Sequence, residues 1–68
     1  MLSYHARLSL EYLQASLIPK ERRDRIALGA IVRHVAFSYA LSATTTEALL
    51  TEVTQEAQRR GLVHEEGS

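Results

Sequence analysis

Cysteine is absent from this 68-residue chain. With it go disulfide staples, thiol chemistry and the commonest ligands of structural zinc. A small secreted scaffold held together by cystines is therefore excluded, and a cytoplasmic protein is expected. Glycine is scarce: Gly29, Gly61 and Gly67 stand alone, none in a G-x-G or G-K-[ST] context, so no phosphate-cradling loop is present. No charge sign is in excess, because eight Lys+Arg balance eight Asp+Glu. A protein that grips nucleic acid through its phosphates carries a clear positive surplus, and nucleic acid is not expected as a partner. The first residues lack the basic head and unbroken apolar run of a signal peptide. The longest apolar stretch, residues 26–43, carries Arg33 and His34 at its centre, where a membrane tolerates charge poorly. No membrane span is expected.

Catalytic constellations are missing as well. His5, His34 and His64 lie 29 and 30 residues apart and belong to no H-E-x-x-H pattern, so no metal is expected. No strained G-x-S-x-G nucleophile turn exists. Glu52 and Glu56 share a helix side at i,i+4, a spacing read as solvated surface rather than an acid–base pair. The chain reads as a non-enzyme with no cofactor.

What is present is a set of apolar residues at helical spacing. In residues 46–60, Leu49, Leu50, Val53 and Ala57 form one narrow stripe. Thr44, Thr45 and Thr46 are N-cap candidates, Thr44 with Glu47 at capping-box spacing. Gly61 suits the left-handed position after the helix, with Leu62 to close it, and Glu56 is set to pair with Arg60. A second helix is expected over about 20–41, after Pro19. Leu28, Ile31, Val32, Val35 and Tyr39 form its main stripe. Ile26, Ala30, Phe37 and Leu41 form another on roughly the opposite side, and a helix apolar on two sides must be covered on two sides.

The first segment, about 3–17, reads two ways. As a helix it places Leu2, Ala6, Leu10, Leu13 and Leu17 in one arc and Tyr4, Leu8, Tyr12 and Ala15 in another. As a strand, residues 4–12 alternate cleanly. The absence of β-branched residues from Glu11 to Leu17, and of an obvious partner strand, favours helix. Ile18-Pro19 and residues 42–45 form the joints. The expected fold is all-α: one domain over 1–63 with three helices, the central one buried on two sides and completed by a second chain, and a loose tail over 64–68.

Two helices with two apolar faces each, in a chain with a thin core, point to a protein that buries surface by association. A homodimer is the commonest closed solution, and another protein chain is equally physical, as with a small helical adaptor, inhibitor or chaperone-like regulator. The interface residues expected are Tyr4, Leu8, Tyr12, Ile26, Phe37 and Leu41, with Arg22, Arg23 and Arg25 as rim or phosphate contacts. The alternative is a small dimeric DNA-binding regulator. Its helix-turn-helix form would use the second and third helices, and its ribbon-helix-helix form would use residues 4–12 as a strand with His5, Arg7 and Ser9 facing the groove.

Overall fold

The computed structural model describes residues 2–64, and three helices account for most of them: α1 over Tyr4–Ala15, α2 over Arg25–Ser38 and α3 over Ala43–Arg59. No strand occurs among the described residues. The alternation in residues 4–12 is thus the edge of an amphipathic helix rather than a strand. Ser3 starts α1 by accepting from the Ala6 N–H at 3.2 Å, and the same serine donates through its N–H and hydroxyl to Glu52 of α3. Ala6, Ser9, Leu10 and Leu13 face inward at i, i+3, i+4 and i+7. Ser9 is fully buried, its hydroxyl satisfied by the His5 carbonyl at 2.9 Å, so it does not face outward as the strand reading requires.

The first helix ends earlier than residue 17. Both the N–H and the hydroxyl of Ser16 turn back to the Leu13 carbonyl, a local bond that competes with helix continuation. Leu17, expected in the buried arc, is consequently 99% exposed. The second helix starts later than residue 20. Lys20–Arg22 form only a single 3-10 turn, and Asp24 then caps α2 by accepting from the Ala27 N–H at 3.0 Å. An aspartate cap outweighs the proline signal five residues upstream. The link is stapled by Arg23, whose Nε–H donates to the Ile18 carbonyl at 2.8 Å while its own carbonyl accepts from the His64 N–H at 2.8 Å. That bond reaches His64, the last described residue, and 65–68, the rest of the expected tail, lie outside the described residues.

α2 and α3 end in the same way. After α2, Ala40 N–H bonds to the Phe37 carbonyl and Leu41 N–H to the Ala36 carbonyl; after α3, Gly61 N–H bonds to Gln58 and Leu62 N–H to Ala57. These pairs are the two bonds of a Schellman closure. The residue between must be left-handed, and Ala40 (φ 54°) and Gly61 (φ 68°) both are. Tyr39 and Leu41 therefore lie beyond the helix that was expected to contain them. α3 begins three residues before the expected 46, capped by Ser42, which accepts from the Thr45 N–H at 3.1 Å. The Thr44–Glu47 capping box is not the closure used.

Each helix packs against both others. The core joins Ala6, Leu10 and Leu13 to Leu28, Val32 and Val35, and to Leu49, Val53 and Ala57, with Val63 folding back from the C-terminal side. Every buried side-chain polar atom among the described residues has a partner. No helix there is long and apolar enough to cross a membrane.

Candidate protein-binding surface

Within the single chain, α1 and α3 cover one side of α2 and leave the second stripe open. Residues 26, 30, 33 and 37 fall within an arc of about 60° at helical spacing. Ile26 is 81% and Phe37 91% exposed, and Ala30 and Arg33 are exposed between them. A large side chain this exposed gains nothing from the fold it belongs to, whereas burial of its apolar area is worth about 1.5–3 kcal/mol. The cover expected for this face is not supplied by the chain's own helices.

At its C-terminal end the stripe runs into an open groove of about 660 Å³ between α2 and α3. Its floor is made of small or half-buried residues, Ala36, Ala40, Leu41 and Ala43, and Phe37 stands beside it. Arg33 and Glu47 flank it with opposite charges and form no salt bridge there among the described residues. The Arg33 guanidinium folds back over Gly29: a Cβ built at Gly29 would lie 3.2 Å from it.

The remaining expected contact residues sit elsewhere. Tyr4 and Tyr12 lie on the α1–α2 seam, 56% and 47% exposed, in an aromatic row with both neighbouring histidines. Tyr4 packs edge-on against Tyr39 at 6.0 Å between centroids, His5 against Tyr39 at 4.8 Å, and Tyr12 against His34 at 5.8 Å. The Tyr4 and Tyr39 hydroxyls are 3.3 Å apart, and that hydrogen bond raises the Tyr39 pKa above its ordinary value. Leu8 is half-buried and packs on the core. The structure thus brings Ile26 and Phe37 onto one face with Leu41 at its end, and separates them from Tyr4 and Tyr12. The row of His5, His34 and Tyr39 was not among the expected contacts; its signal is tertiary, since the partners lie 22 to 35 positions apart.

Of the three arginines, Arg22 and Arg25 are exposed, Arg25 lining a cleft toward α3 with Glu47 and Gln55, while half-buried Arg23 is occupied with Ile18. The paired glutamates of α3 are not simply solvated. Glu52 accepts from Ser3, and Glu56 accepts from Arg59 and from Arg60, the latter at 2.6 Å. The Arg59 hydrogen bond, with Arg60 adding to it, holds the Glu56 carboxyl down at about 2. No group of three or more potential metal ligands occurs among the described residues. Compared with known proteins, the chain matches no family model, no curated protein and no solved structure.

Proposed function

We propose that this chain is a non-catalytic protein–protein interaction module, a small helical adaptor, inhibitor or chaperone-like regulator of the cytoplasm, that docks through the outward face of α2. The observation that carries the reading is the outward face of α2, on which Ile26 and Phe37 are left 81% and 91% exposed. An exposed apolar patch rimmed by polar residues marks an interaction site, and Arg33 and Glu47 flank this one at the groove beside Phe37. Aromatic anchors beside a shallow pocket are what interface hot spots use.

The test is site-specific photo-crosslinking in the producing cell, with the photoreactive residue placed singly at positions 26 and 37, and at Glu11 on the exposed side of α1 as control. Protein adducts at 26 and 37 that are weak or absent at 11 support the reading. Adducts equally strong at position 11, or none at 26 and 37, sink it.

One observation favours DNA binding as the second reading. α2 and α3 are joined by the four residues 39–42, with Ala40 left-handed and Ser42 capping the following helix, a connection of helix-turn-helix type. The ribbon-type version lacks its premise, since residues 4–12 are helical. The first turns of α3 expose Ala43, Thr44, Thr45, Glu47 and Ala48, with no cation before Arg59, which makes a poor partner for phosphates. Duplex binding that falls steeply with added salt and is lost on neutralising Arg22 and Arg25 would put this reading first.

A further inference from the structure

We draw no further inference here: the strongest candidate, the outward face of α2 on which Ile26 and Phe37 stand exposed beside the groove between α2 and α3, belongs to the site already described, and nothing in the structure shows what covers it.

Discussion

Ala40→Gly should make this protein more stable, although it removes a methyl group and adds backbone freedom. Ala40 closes α2 in the left-handed conformation at φ 54°, where an L-residue with a Cβ is disfavoured by roughly 1–2 kcal/mol. Glycine lifts that cost and loses about 0.5–1 kcal/mol of chain entropy in exchange. The net gain is about 0.5–1 kcal/mol, or roughly 2–8 °C in Tm for a domain of this size. The end of α3 provides the opposite experiment on the same motif. Gly61 (φ 68°) would place a new Cβ with nothing within 4 Å, so Gly61→Ala tests conformation without steric contact and should destabilise by about 0.5–1 kcal/mol. Urea unfolding followed by far-UV circular dichroism, at low protein concentration, reads both as shifts in midpoint at constant slope. Ala40→Gly falling below the wild type, or both variants moving in the same direction, would refute the reasoning, because the two closures would then not share a conformation.

Leu13, fully buried where α1 meets the core, should cost about 2–5 kcal/mol on truncation to alanine, enough to leave the chain largely unfolded in a urea titration begun near zero. Phe37→Ser should change unfolding by no more than about 0.5 kcal/mol, as surface substitutions do, while weakening the protein adducts formed from a photoreactive residue at position 26. Arg23→Ala, which removes the charged donor to the Ile18 carbonyl, should lower stability by about 1.5 kcal/mol, whereas Arg22→Ala should leave it within about 0.5 kcal/mol. Glu56 should show itself in acid. Its folded pKa of about 2 lies below the ordinary 4.5, so its contribution is present above pH 4.5 and disappears as the pH falls toward 2. The gap in urea midpoint between wild type and Glu56→Gln should be constant above that window and close within it; a gap independent of pH would mean that the Arg59 and Arg60 contacts do not distinguish carboxylate from amide.

Local physics decided the helices and the polarity of their faces, and both were legible in the residue order. The stripe of Leu49, Val53 and Ala57, the closing Gly61–Leu62 pair and the two apolar sides of α2 follow from a period of 3.6 and from the capping preferences of short polar residues. The helix ends were less legible where several signals competed. Pro19, Lys20 and Asp24 all mark a start, and Ser42 stands beside three threonines that could each serve as a cap. Only the completed hydrogen bonds, Asp24 to Ala27 and Ser42 to Thr45, separate them. Tertiary structure alone decided that the second apolar side of α2 stays uncovered within the chain. The stripe richer in large aliphatic residues, Leu28, Ile31, Val32 and Val35, is the one the core takes, but nothing in a single helix states whether the other will also find a neighbour. Packing by α1 and α3 buries Leu28, Val32 and Val35 and leaves Ile26 and Phe37 outside. The same packing sorts Tyr4 and Tyr12 onto another seam, and it turns Ser9, a polar letter in an alternating run, into a buried residue satisfied by the turn before it. Burial is a property of the space between helices, and periodicity along one of them can name the candidate faces without stating how many will be covered.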